Sequence, residues 1–249
     1  MIRRVLGTLV LRDDGPEASR QLEAEGHAVL RQVFTATEVA TLRRELGRRF
    51  EQPPRIRVPG RTSAAYADFR HEALNHSAAA QRAVGHPRIL EVIEPLLGDD
   101  CHVIANTIWR NPAGDPKARE GGHWHTDAGP HVPRPEGVPW DDRIPYPVFA
   151  IGAHLLLQDC RREDGPTGVL PGSHRSGRLP PRTGSRLGVT YVGRSPVALT
   201  GAAGDVALFV SDSWHRRLPP LGRVDVHQRL LCTDLVVERL VVVHLTDRS

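Results

Sequence analysis

Residues 121–131, GGHWHTDAGPH, place His123, His125, His131 and Asp127 within eleven positions, bounded by glycine and proline. Imidazole nitrogens and a carboxylate this close can chelate a divalent metal. In an extended segment residues i and i+2 project to the same face, so His123, His125 and Asp127 can all point one way. Three chemistries compete for them. The first is a two-histidine, one-carboxylate facial set, in which H-x-D on one strand is joined by a distant histidine from a neighbouring strand end. Such a set leaves three positions open on one face of Fe(II), where a bidentate oxo-acid and O2 can bind together. The stretch GDVALFVSDSWHRR, a β-rich run ending at His215 before a proline-rich turn, offers the distant ligand, so His125, Asp127 and His215 form a complete candidate set. The second is a zinc hydrolase of the H-x-H-x-D-H type, which HWHTDA matches only as far as Asp127, with Ala128 where the next histidine belongs. The third is a group of solvated loop histidines, since a chain with 13 histidines contains an H-x-D by chance fairly easily. Alternation alone ranks His123 and His125 equally.

The elements that must position these residues change character along the chain. Residues 16–50 hold two helical patterns around a short extended piece, HAVLRQVF; TATEVATLRREL opens with Thr35 or Thr37 as a candidate N-cap. Residues 51–75 read as a proline- and arginine-rich loop, and 77–100 as helices stopping at Gly98. From residue 101 onward, CHVIANTIW, VFAIGAHLLLQ, VTYV, DVALFV, RLLCTDLVV and LVVVHL are short, rich in β-branched residues and separated by turn residues. Helices first and strands afterwards predict an α+β domain, mainly β in its core, and the lack of βαβ alternation argues against Rossmann and TIM arrangements. One domain is expected over 1–249, with a helical part at about 16–100 and a β core at about 101–245.

Composition narrows the function classes. The chain has 249 residues, 39% apolar and 25% charged, which describes an ordinary soluble globular protein. Its net charge of +4 comes from scattered basic residues, and aromatics are only 5%, so no nucleic-acid face is expected. Lys117 is the only lysine, and no G-K-[ST] occurs, which disfavours Schiff-base chemistry and a phosphate-binding P-loop. Cys101, Cys160 and Cys232 are too far apart for a disulfide framework or a thiolate zinc site and suit a reducing cytoplasm. MIRRVLGTLVLRDD lacks a cleavage signal, and LVVERLVVVHL is interrupted by Glu238, Arg239 and His244, so neither export nor membrane insertion is expected.

EGHAVLRQVF, TATEVATLRREL, HPRILEVIEPLLGDD, WHTD, DGPTGVLPGSHR and GDVALFVSDSWH occur in the order seen in the phytanoyl-CoA dioxygenase-like family, and the resemblance runs over roughly residues 18–237. It implies a double-stranded β-helix (jelly-roll, cupin-like) with flanking N-terminal helices. It further implies an Fe(II)- and 2-oxoglutarate-dependent oxygenase that uses O2 to hydroxylate or otherwise oxidise a small molecule. The family's tryptophan directly precedes the metal ligand, as Trp124 does here, so the resemblance selects His125 over His123 and leaves His123 and His131 as bystanders. Halogenating relatives replace the carboxylate with a small residue, so the retained Asp127 points to hydroxylation or a related oxidation. A guanidinium is the natural partner of the co-substrate's distal carboxylate, and the family places that arginine where Arg229 stands, with Arg223 as the alternative. The family often has a serine two residues after the distal histidine; Arg217 stands there instead. Asn106, on the strand before the motif, is a further candidate contact for 2-oxoglutarate. Within DGPTGVLPGSHR, Ser173 and His174 are expected to satisfy backbone groups at paired turns rather than to bind metal. The six-proline stretch 129–147 is either a substrate lid, with Trp140 and Tyr146 as pocket aromatics, or a passive stiff loop. A monomer or homodimer acting on a small molecule, without nucleic-acid or membrane partners, completes the expectation; a catalytically silent jelly-roll binding module is the non-enzyme alternative.

Overall fold

Apolar residues recur at helical spacing through the first hundred positions and in short strand-length runs after them, and the computed structural model divides at the same place. It describes residues 17–52, 69–110, 121–127, 129–181, 188–221 and 231–238. Helix α1 (Glu17–Glu25) buries Leu22 and is tied by Ser19 Oγ to the Val92 carbonyl at 2.7 Å. Helix α2 (Ala36–Gly47) starts at Thr35, one of the two anticipated caps. Thr35 Oγ1 accepts from the Glu38 N–H while Glu38 accepts from the Thr35 N–H, a reciprocal capping box. Its Val39, Leu42 and Leu46 form one buried stripe. Helix α3 (Ala78–Val84) is capped by Ser77, and α4 (Pro87–Leu97) has Pro87 in its first turn, where no N–H is needed. Five apolar residues of α4 are buried, each contributing up to about 1.5–3 kcal/mol by loss of water contact. The helix stops at Gly98, whose φ of 99° suits a residue without a Cβ.

Strands β1 (His27–Leu30), β2 (Phe69–His71), β3 (His102–Arg110), β4 (Ala150–Leu156), β7 (Val206–Val210) and β9 (Leu231–Glu238) form an antiparallel sheet in the order β1-β7-β4-β9-β3-β2. Strands β5 (Thr167–Val169), β6 (Val197–Ala198) and β8 (His215–Arg217) form a second, antiparallel sheet in the order β6-β5-β8. An isolated bridge between His125 and His215 extends this small sheet beyond β8. Strand β7 shows why the central strands read as continuous apolar runs. Its Val206, Leu208 and Val210 join the core formed with the helices, while Ala207 and Phe209 pack on Val169 of the small sheet and on Leu199, just past β6. Both faces are covered, so both must be apolar. Gly152 on β4 makes room for this packing: a Cβ there would stand 2.5 Å from the Phe209 ring.

Some anticipated elements differ. VTYV contributes only a single bridge between Tyr191 and Arg194, because the chain turns back at once. The expected loop at 51–75 contains β2 and a 3-10 turn, Ala73–His76. LVVVHL lies outside the described residues.

Candidate metal centre

The small sheet's ladder positions the site. The 122–127 segment runs beside β8: the Gly122 N–H donates to the Arg217 carbonyl at 2.8 Å, His125 and His215 exchange two bonds of 3.0 Å, and the Asp127 N–H donates to the Ser211 carbonyl at 3.2 Å. Period-two alternation then sends Trp124 to the far side, where it packs with Leu170, Val189 and Trp214 beneath the Arg216 guanidinium. That packing anchors the strand and presents His125 and Asp127 on the opposite face. Ligand atoms of His125, Asp127 and His215 all lie within 4.8 Å of one another, the one such group among the described residues. His215 Nε2 is 3.3 Å and His125 Nε2 3.6 Å from Asp127 Oδ1. Neighbouring ligands about 2.1 Å from a shared ion stand roughly 3 Å apart, so the cluster needs little adjustment to close on one.

Tautomers decide whether these atoms can bind a cation. His125 Nδ1 lies 2.9 Å from the His123 carbonyl and His215 Nδ1 lies 2.9 Å from the Ser213 carbonyl. A carbonyl only accepts, so each Nδ1 carries the hydrogen and each neutral ring turns the lone pair of Nε2 toward Asp127. Partial withdrawal from water, and then the neighbouring His215, push His125 below its usual value and favour that neutral form. Withdrawal from water alone would raise the Asp127 carboxyl. The imidazoles around it, His215 foremost, with smaller effects from His125 and His154, outweigh it and hold the Asp127 carboxyl below its usual value. Two lone pairs and a carboxylate thus converge without an intervening donor, an arrangement a cation relieves. His215 is buried, whereas the His125 side chain is 51% exposed, so the cluster opens to one side.

The other anticipated residues divide. His123 contributes its carbonyl to orient His125, and His174 is buried with Nε2 3.0 Å from the Glu23 carbonyl. Ser173 Oγ bonds the Leu170 carbonyl and the Trp214 N–H. Asn106 is not brought to the cluster: its Oδ1 accepts from the Leu74 N–H at 3.0 Å, in the turn beside the helices, while its neighbour Thr107 alternates to the other face of β3. Tyr146 is a correction. It is 1% exposed, with its hydroxyl on Asp212 Oδ2 at 2.6 Å, and so is a core residue rather than a pocket wall. Trp140 packs edge-on against it, donates to the Ile144 carbonyl and lies under Arg134, so both aromatics pin the 129–147 loop. Arg229 and Arg223 lie outside the described residues.

Three residues near the site escaped sequence reasoning. Phe209 holds its ring tilted 4.6 Å from that of His215 and edge-on 5.0 Å from that of His154. His154 is buried on β4, bonds Thr167 across the two sheets at 3.3 Å and adds to the electrostatic surroundings of Asp127. Its signal is a single histidine in the otherwise apolar strand AIGAHLL. Asp212, three positions before His215, holds His131 and Tyr146, so His131 is no bystander.

The phytanoyl-CoA dioxygenase (PhyH) family profile matches residues 22–217. Ectoine dioxygenase of Sphingopyxis alaskensis is 28% identical over 173 residues, 66% of this chain and 52% of that protein. Ectoine dioxygenase of Bordetella bronchiseptica is 29% identical over 160 residues, 61% of this chain and 47% of its own length. The chain therefore spans about half the length of the curated relatives it matches. Among solved structures, EctD from S. alaskensis superposes with a TM-score of 0.66 at 22% identity, covering 89% of this chain and 75% of that one. The epimerase SnoN, in complex with Fe3+, alpha-ketoglutarate and nogalamycin RO, superposes with a TM-score of 0.65 at 20% identity, covering 89% and 82%. HygX from Streptomyces hygroscopicus, with nickel and 2-oxoglutarate bound, gives 0.64 at 17%, covering 90% and 87%. The likeness to these structures is one of fold, and the profile match extends over most of the chain: the protein belongs to the phytanoyl-CoA dioxygenase (PhyH) family.

Proposed function

We propose that this chain is a non-haem Fe(II)- and 2-oxoglutarate-dependent dioxygenase that hydroxylates or otherwise oxidises a small organic molecule, with release of succinate and CO2. The observation that carries this reading is the convergence of two imidazole lone pairs and one carboxylate at His125, Asp127 and His215. Three donors of this kind suit Fe(II) and leave positions for an oxo-acid and O2. Iron bound there with 2-oxoglutarate supplies the oxidising chemistry. His125 and His215 hold the metal through Nε2, with rings fixed by backbone carbonyls, and Asp127 supplies the anionic ligand. Arg229 pairs with the distal carboxylate of 2-oxoglutarate, with Arg223 as the alternative. In this reading the two sheets are the halves of a double-stranded β-helix and the chain is one domain. The family profile, the ectoine dioxygenase relatives and the fold neighbours with bound metal and 2-oxoglutarate support it. The names of those proteins give ectoine and nogalamycin RO, both small organic molecules, which supports a small organic molecule as the substrate class.

The test is anaerobic titration of the purified protein with Fe(II) and 2-oxoglutarate. A weak visible charge-transfer band of the chelated oxo-acid should appear in the wild-type protein and vanish in Asp127→Ala and His215→Ala. An unchanged band in both variants would remove these residues from the metal; succinate release on a substrate panel separates a working oxygenase from a silent binding module.

A further inference from the structure

Among the described residues, the ladder that carries the candidate ligands reaches as far as Asp127. From Gly122 to Asp127 the segment is bonded to 211–217 through main-chain groups. Beyond Asp127 the next tie among the described residues is a side chain: Asp212, 3% exposed, receives the His131 N–H on Oδ2 at 3.0 Å, the His131 Nδ1–H on Oδ1 and the Tyr146 hydroxyl on Oδ2 at 2.6 Å. Gly129 lies against the same carboxylate, at a φ of 112° and so close that a Cβ would collide with Oδ1. The His131 ring is further held by stacking on Phe149, with centroids 4.9 Å apart. Asp212 is therefore a buried carboxylate satisfied by three donors, all from the loop that leaves the site. It stands three positions before His215, on the segment that delivers the other ligand.

We propose that Asp212 is a positioning residue for the metal centre, a latch that clamps the chain just past Asp127 and so fixes the angle at which the Asp127 carboxylate meets the metal. The inference rests on the assignment of His125, Asp127 and His215 as ligands. His125 and His215 exchange two main-chain bonds and hold each other whether or not the latch is closed. Among the described residues Asp127 has one main-chain bond on one side and the latch on the other, so it is the ligand that loosens when the latch opens. A buried carboxylate is suited to this role. It accepts from all three donors at once, whereas an amide in its place would turn an N–H₂ group toward one of them and leave that donor unpaired.

The experiment is a double-mutant cycle read by Co(II) binding, with the metal alone as probe and its visible spectrum as signature. Asp212→Asn should weaken Co(II) about tenfold, the lower end expected for groups that orient metal ligands, and shift the spectrum toward that of Asp127→Ala. In the Asp127→Ala background the same change should alter affinity less than about twofold, because the ligand it positions is gone. A latch that merely stabilises the fold would weaken binding by the same factor in both backgrounds, and that result overturns the inference, as does Co(II) affinity in Asp212→Asn equal to wild type. Should Asp212→Asn fail to fold, Tyr146→Phe and His131→Phe each remove one side-chain donor and enter the same cycle, with about threefold weakening expected only when Asp127 is present. Wild-type protein that binds no Co(II) would overturn the metal-centre reading and this inference with it; wild-type binding without coupling overturns the latch alone.

Discussion

Gly152 and Phe209 form the contact that couples the large sheet to the distal histidine, and it can be tested with two substitutions. A Cβ at residue 152 would stand 2.5 Å from one carbon of the Phe209 ring and 2.9 Å from two more. The ring cannot retreat, because His154 and His215 flank it with centroids 5.0 and 4.6 Å away and Phe209 is 0% exposed. Gly152→Ala therefore overpacks a closed space, at a cost of about 2 kcal/mol, within the range for a forced extra carbon. For a domain of this size that lowers Tm by about 4–8 °C. Phe209→Leu alone removes ring atoms and leaves a void, costing about 1–2 kcal/mol. The smaller side chain gives the new methyl its room, so the double variant should be less destabilised than the sum of the two by about 1–2 kcal/mol. Urea or thermal unfolding of the four proteins measures this directly. Additive costs would mean that the two positions do not share one space, and the account of how Phe209 is held against His215 would be wrong.

His174 makes stability depend on pH. Burial, aided by the neighbouring charge of Arg175, lowers its pKa from 6.5 to about 3. The unfolded chain then takes up a proton below pH 6.5 that the folded one refuses, so stability is full above that value and falls as the pH drops toward 3. The loss between pH 7 and pH 5 is about 2 kcal/mol, and His174→Asn should flatten that part of the Tm–pH curve relative to wild type. Arg229→Ala should weaken 2-oxoglutarate binding by an order of magnitude or more while sparing metal affinity, roughly the loss expected when a charge-assisted pair is broken. The reverse ranking against Arg223→Ala, in a titration of the Fe(II) protein, would transfer the role. Thr35→Ala removes the capping box of α2 and should cost about 1 kcal/mol in unfolding experiments, since the Glu38 N–H loses its acceptor.

Much of the scaffold was legible because it rests on local rules. The Thr35 cap, the stop at Gly98 and the strands at 102–110, 150–156 and 206–210 follow from capping chemistry and apolar periodicity, which act within a few residues. Strands β5, β6 and β8 were not legible, since they are only two or three residues long and exist because they pair with each other. Tyr146 was misread for the same reason: a tyrosine among prolines resembles a loop aromatic until its hydroxyl is seen on a buried carboxylate.

For the site, residue types and spacing supplied the inventory: an H-x-D pair, a tryptophan beside the first ligand, and a distant histidine in GDVALFVSDSWHRR, which was expected at the end of one strand but instead opens β8 after β7 has stopped at Val210. Period-two alternation allowed His123 as readily as His125, and nothing in the spacing could say which imidazole nitrogen faces inward. Those choices belong to the tertiary structure. The ladder against β8 turns His125 and Asp127 to one face, and two backbone carbonyls select the tautomers. Asp212, unremarkable in the string SDSWH, becomes the tie between both ligand segments only once the fold has brought onto it His131, 81 positions away, and Tyr146, 66 positions away. Local composition specifies which groups exist; the long-range pairing of strands specifies which of their atoms meet.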